Sequence, residues 1–120
     1  MWGRVEVCPE LGNLRDDVLS VMYVKDLDDE DSLEISEIKT DDILGAEIMD
    51  YALLFVRDLR SCPSTLTVET KTASTYMISG LSEGEWEVCV GDNAIALTVS
   101  ADERFARFTA PAGKITLKKL

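Results

Sequence analysis

The 120-residue chain contains no histidine. That absence removes every His general base, His-bearing triad and His metal ligand from within it, since imidazole is the side chain that changes charge near neutral pH. Basic residues are scarce: twelve Lys and Arg stand against twenty-three Asp and Glu, a net charge of −11. Nucleic-acid binders draw their affinity from Lys and Arg on phosphates, so no nucleic-acid partner is expected. Long apolar runs are missing. The longest, Tyr51–Val56, is far too short to span a bilayer, and no membrane partner is expected. The three cysteines, Cys8, Cys62 and Cys89, cannot all pair within one chain. None is spaced C-x-x-C, the spacing of zinc knuckles and thioredoxin-type motifs. Cys8 and Cys89 fall in strand-like segments and read as buried thiols, with one disulfide as the alternative. Cys62, beside Pro63 in a loop, reads as the exposed thiol.

What is present is globular. A hydrophobic fraction of 46% is too high for a disordered acidic tail, and the length suits one domain over residues 1–120. The dominant period is two. Arg4–Cys8 alternates and stops at Pro9. Asp17–Val24 has apolar residues on both parities, the pattern of a strand buried on both faces. Short strands are then expected around Leu33–Ile38, Ala46–Met49, Tyr51–Val56, Thr65–Glu69, Thr75–Ile78, Trp86–Val90, Ile95–Val99, Arg104–Phe108 and Lys114–Leu117. Gly80 and Gly84 mark one turn, and Gly91-Asp92-Asn93 marks a tight hairpin. Leu44, Ile48, Tyr51 and Phe55 also fall at helical spacing, which leaves Asp41–Arg60 open to a helix, although Gly45 and the β-rich flanks favour strands. The sum is an all-β fold, an antiparallel β-sandwich of roughly ten short strands.

Few side chains are arranged for chemistry. Adjacent acids such as Asp41 and Asp42 work as acid–base pairs only in a cleft that drives their pKa values apart; in loops they stay solvated. No G-x-S-x-G or S-x-x-K motif supports a serine nucleophile. Tyr23, Tyr51 and Tyr76 read as core residues, since nothing places cations beside them. No catalytic residue is assigned. One candidate cation site exists: Asp26, Asp28 and Glu30 offer carboxylate oxygens of the kind Ca²⁺ takes, without the glycine and distal Glu of an EF-hand loop. Apart from that Ca²⁺, no cofactor is expected.

The charge is lopsided. Residues 1–60 hold sixteen acids and six bases, whereas Arg104–Leu120 holds five bases and no acid. Arg104, Arg107, Lys114, Lys118 and Lys119 therefore read as a basic ribbon, the first place for a polymer or partner to bind. Phe105, with Arg107 at its parity, is the aromatic expected at the surface, and Trp86, with Val88 and Val90, is expected inside.

The order of segments carries a resemblance. Trp2–Pro9 followed by Asp17–Val24, then Leu44–Ile48 with Tyr51–Phe55, the turn Ile78–Val88 and the closing Phe108–Leu117 resemble, in sequence order, the C-terminal β-sandwich region of heparinase II/III-type polysaccharide lyases. Members of that family join an α/α toroid to β-sheet domains and cleave uronic-acid polysaccharides by β-elimination with Tyr and His. The resemblance implies a non-catalytic accessory module whose partner is the catalytic toroid domain or another protein domain, with the polysaccharide as a further contact. It also implies a secreted or periplasmic setting, although Met1-Trp2-Gly3-Arg4 does not open like a signal peptide. Two other classes fit the residues: a carbohydrate-binding or Ca²⁺-dependent adhesion sandwich, and a cytoplasmic interaction domain.

Overall fold

The computed structural model describes residues 12, 17–22, 24–28 and 34–120. Among them are nine strands and no helix. In chain order the strands are β1 (Ile35–Lys39), β2 (Ile43–Ile48), β3 (Tyr51–Val56), β4 (Thr65–Glu69), β5 (Thr75–Ser79), β6 (Gly84–Val90), β7 (Asn93–Val99), β8 (Phe105–Thr109) and β9 (Lys114–Lys119). They form a five-stranded sheet of order β1-β2-β3-β5-β8 and a four-stranded sheet of order β4-β9-β6-β7. From β3 onward the chain changes layer at every connection except the β6–β7 hairpin, and this produces one departure from the antiparallel expectation. β3 leaves the first sheet, β4 runs in the second, and β5 returns beside β3 in parallel.

Each strand's period-two pattern decides which side chains meet inside. Leu54 of β3, Ile78 of β5 and Ala106 of β8 lie in one cross-strand row and are buried. From the other sheet come Leu66, Val68, Trp86, Val88, Ile115 and Leu117, all buried. Trp86 is inside, as its parity predicts, and its Nε1 donates to the Ser82 carbonyl at 2.9 Å, so the largest core side chain leaves no polar atom unpaired. Tyr76 stacks on Phe108, with ring centroids 5.1 Å apart. Its hydroxyl lies 2.7 Å from Thr70 Oγ1 and donates to the Pro111 carbonyl at 3.1 Å, tying the β4–β5 and β8–β9 loops together.

The segment Asp41–Arg60 holds the hairpin β2–β3, not a helix. Ile48 and Tyr51 are partners, so Met49-Asp50 is a two-residue turn, and Met49 adopts φ 54°. That conformation interrupts any helical run through the apolar series. Gly45 shows why the position tolerates no side chain: an added Cβ would collide with the backbone carbonyl of Leu53 on the neighbouring strand. The expectation of a doubly buried strand over Asp17–Val24 fails for its described residues. Asp17–Met22 and Val24 form no strand, and Met22 and Val24 are 90% and 85% exposed. The central slot that such a pattern calls for is filled by β3, apolar at all six positions. The candidate strand Arg4–Cys8, with Cys8, lies outside the described residues, as does Tyr23.

One charged group is buried in the first sheet. Glu47, only 6% exposed, points inward from β2. Its carboxylate accepts from the backbone N–H of Lys71 at 3.0 Å and of Ala73 at 2.7 Å, from that of Thr72, and from the Thr72 hydroxyl at 3.1 Å. Burial alone would raise its pKa. The three backbone donors and the hydroxyl outweigh that, holding the carboxyl below the ordinary 4.5. The anion thus fixes the β4–β5 loop to the opposite sheet's hairpin.

Two outcomes follow from these contacts. A group whose folded pKa lies below its unfolded value stabilises fully above the unfolded value, and that contribution fades as pH falls from about 4.5 through the lowered one. Glu47→Gln is therefore expected to lose about 1–3 kcal/mol near pH 7 and to show a flatter loss of stability on acidification, read by urea unfolding across that window. Gly45→Ala is expected to cost about 1–3 kcal/mol, because backbone cannot move aside as a side-chain tip can; equilibrium unfolding measures it.

Candidate interaction surface

The two outer faces of the sandwich differ in kind. On the four-stranded sheet the outward residues are mostly polar, with Cys89, Ala94 and Ala96 the small exceptions. Thr65, Lys118, Glu87 and Ala96 form one cross-strand row, and Thr67 and Thr116, with hydroxyls 3.4 Å apart, form part of the next. Glu85 on this face accepts from the Thr98 hydroxyl at 3.0 Å. This is the alternation of a sheet with one wet side.

The five-stranded sheet does not alternate that way. Leu44, Ala46 and Ile48 of β2 and Tyr51, Leu53 and Phe55 of β3 all point away from the core, since Gly45, Glu47, Ala52 and Leu54 take the inward parity. Met77 continues the row of Leu53 across β5, and Phe105 continues that of Phe55 and Ser79 onto β8. Tyr51 is 41% exposed, Phe55 44% and Phe105 39%. Charge appears only toward the margins: Glu37 and Lys39 on β1 and Arg107 on β8.

Part of this face is crossed by the segment that was expected to be a strand. Asp17 Oδ2 pairs with Arg57 Nε at 2.9 Å, just beyond the end of β3. This fixes Val18 and Leu19 beside Leu44. A groove of about 390 Å³ lies on one side, lined with Phe55 and Leu59, and one of about 460 Å³ on the other, lined with Val21, Ile35 and Ala46. Val18 and Val21 stay 59% and 41% exposed there. The result is a continuous apolar surface, crossed by a clamped apolar segment.

The residues singled out in the sequence scatter over this architecture. Phe105 and Arg107 belong to the apolar face. Lys114 and Lys118 stand on the polar outer face of the other sheet, and Lys119 donates to Ser82 Oγ at 3.1 Å. Arg104 is engaged internally: its Nε donates to the Leu81 carbonyl at 3.0 Å and Nη2 to the Gly80 carbonyl at 3.1 Å, with its backbone at φ 49°. The five bases are neighbours in sequence but do not converge in space, because consecutive strands β8 and β9 sit in different sheets. Asp26 and Asp28 are exposed, and Glu30 lies outside the described residues. No group of three potential ligands is gathered for a metal ion among the described residues. Cys62 is half-buried, with Sγ 3.5 Å from the Pro63 carbonyl, and Cys89 is half-buried on the outer face of β6; both are free thiols. The sequence reading missed Tyr51 and Phe55 as surface aromatics. The signal was there: a strand apolar on both parities within a two-layer fold must show one apolar side outward.

Fold and surface together define a two-layer β-sandwich module with one polar and one apolar outer face. The profile of the heparinase II C-terminal domain family matches residues 37–119, from within β1 to the end of β9, and the chain belongs to that family. The opening motifs at Trp2–Pro9 and Asp17–Val24 lie outside the match. Comparison with curated proteins gives no match.

The contrast between the strand's two parities is measurable. Phe55→Ser is expected to change stability by no more than about 0.5 kcal/mol, whereas Leu54→Ala, its inward neighbour, is expected to cost about 2–5 kcal/mol. Paired denaturant melts of the two variants check this.

Proposed function

We propose that the chain is a non-catalytic accessory module, the C-terminal sandwich of a heparinase II-type polysaccharide lyase, which packs its five-stranded sheet against the catalytic domain and holds that domain in position. The observation that carries this reading is the asymmetry of the two outer faces. Water-facing sheets in soluble sandwiches carry polar residues outward, as the four-stranded sheet does. The other sheet exposes Tyr51, Phe55 and Phe105 instead, and each aromatic side chain removed from water contributes about 1.5–3 kcal/mol. Arg107, at the margin, supplies a directional contact beside the apolar centre. Residues for β-elimination are a matter for the partner domain, since the resembled chemistry uses His and this chain has none.

The test supplies the missing half. A catalytic domain of a heparinase II-type lyase, expressed without its own C-terminal module, is mixed with this chain. Calorimetry is expected to show saturable binding that Leu53→Asp combined with Phe55→Asp abolishes. The chain alone is expected to produce no unsaturated uronate absorbance from heparin-like polymers. Turnover by the chain alone, or unchanged binding by the double variant, overturns the reading.

A further inference from the structure

We propose that the free edge of β7 is a strand-addition site that takes an extended segment of a partner protein, with apolar side chains on one side of the segment and Lys or Arg on the other. This is separate from the apolar face and does not depend on the packing role.

Backbone geometry identifies the open groups. The Leu120 N–H donates to the Glu85 carbonyl at 2.9 Å. Glu85 and the residues at its parity on β6 therefore direct their backbone groups toward β9, and Trp86 and Val88 direct theirs toward β7. In the register Trp86↔Leu97 and Val88↔Ile95, Leu97 and Ile95 complete those bonds. The N–H and C=O of Ala94, Ala96 and Thr98 thus point away from the sheet, and no strand among the described residues pairs on that side.

Edges of this kind are normally guarded by charge, proline or a bulge. β1 carries Glu37 and Lys39, β4 ends in Glu69, and β8 carries Arg107. β7 is the longest of the four edges at seven residues and carries no charge and no proline. Its seven pairs with β6 run without a break. An unguarded edge offers main-chain bonds to an extended peptide, and flanking side chains then choose the sequence.

Those side chains specify the occupant. On the inner side Ile95 and Leu97 are half-buried and pack against the core, so apolar side chains of an added strand extend the core there. On the outer side Ala94 and Ala96 are exposed and small; on β6 Cys89 lies across from Ala94, Glu87 across from Ala96 and Glu85 across from Thr98. A Lys or Arg on the added strand reaches over Ala96 to Glu87, or past Thr98 to Glu85. A second copy of the chain is the weaker occupant. It brings the same −11 charge, and rigid edge-to-edge contact falls short of the roughly 1,000 Å² a specific interface needs.

The probe is an end-capped peptide of alternating lysine and valine, with an alternating glutamate and valine peptide as control. With isotope-labelled chain, the lysine peptide is expected to slow amide exchange at Ala94, Ala96 and Thr98 by about tenfold or more, and the glutamate peptide is expected to leave it unchanged. Ala96→Pro deletes an outward N–H that makes no bond to β6, a change an edge strand tolerates; it is expected to weaken binding about tenfold. A melt checks that the variant folds. Should it not, Glu85→Lys with Glu87→Lys serves instead and is expected to reverse the preference between the two peptides. Binding that leaves β7 exchange unchanged, binding equal in Ala96→Pro, no binding, or protection of β7 that rises with chain concentration in the absence of peptide each overturns the proposal.

Discussion

The strand Tyr51–Val56 has to satisfy two apolar environments at once, and the rest of the molecule is arranged around that demand. It holds the middle of a five-stranded sheet, with β2 antiparallel on one side and β5 parallel on the other. Ala52, Leu54 and Val56 are buried against the second layer. Tyr51, Leu53 and Phe55 face outward onto a surface only partly crossed by the clamped segment at Asp17. A sandwich of two sheets covers one side of each, so a strand apolar on both leaves one apolar side outside the core. All three strands of this central group, β2, β3 and β5, lie within the residues matched by the heparinase II C-terminal domain family.

Polar groups finish what the apolar core begins. The sandwich changes sheets through loops, and loops bring backbone N–H groups inward where water does not reach them. Glu47 answers this at the β4–β5 loop by accepting from three successive residues. Tyr76 and Thr70 answer it where that loop meets the one before β9. Among the described residues no buried side-chain nitrogen or oxygen lacks a partner. The loops are therefore fixed by a few specific bonds, and the core needs no polar strands within it.

Much of the fold was legible because side-chain parity reports facing. Trp86 with Val88, the Gly91-Asp92 hairpin and the alternation through Ile95–Val99 read directly onto β6 and β7. Parity does not report which sheet a strand joins. The parallel pairing of β3 with β5 was invisible for that reason, and so was the separation of Arg107 from Lys114 and Lys118. Nor does parity show whether a sheet has room. Asp17–Val24 has the pattern of an interior strand, yet its described residues lie outside both sheets because β3 already occupies the centre. The surface aromatics are hidden by the same limit: an apolar run signals burial, and in a two-layer fold it equally signals an uncovered side. Arg104 could not be separated from the other bases by sequence, since its role depends on carbonyls at Gly80 and Leu81 some twenty residues away.

The position of β9 has a consequence for how the molecule is made. It is the last of the nine strands described and lies between β4 and β6, with Thr65 opposite Lys118 across an interval of about fifty residues. On the ribosome, β4 emerges long before its neighbour exists, and the β6–β7 hairpin forms with one flank bare. The second layer closes only once β9 itself has emerged. Chains interrupted before β9 would hold a gap between β4 and β6, and quality-control proteases would meet them as open sheets.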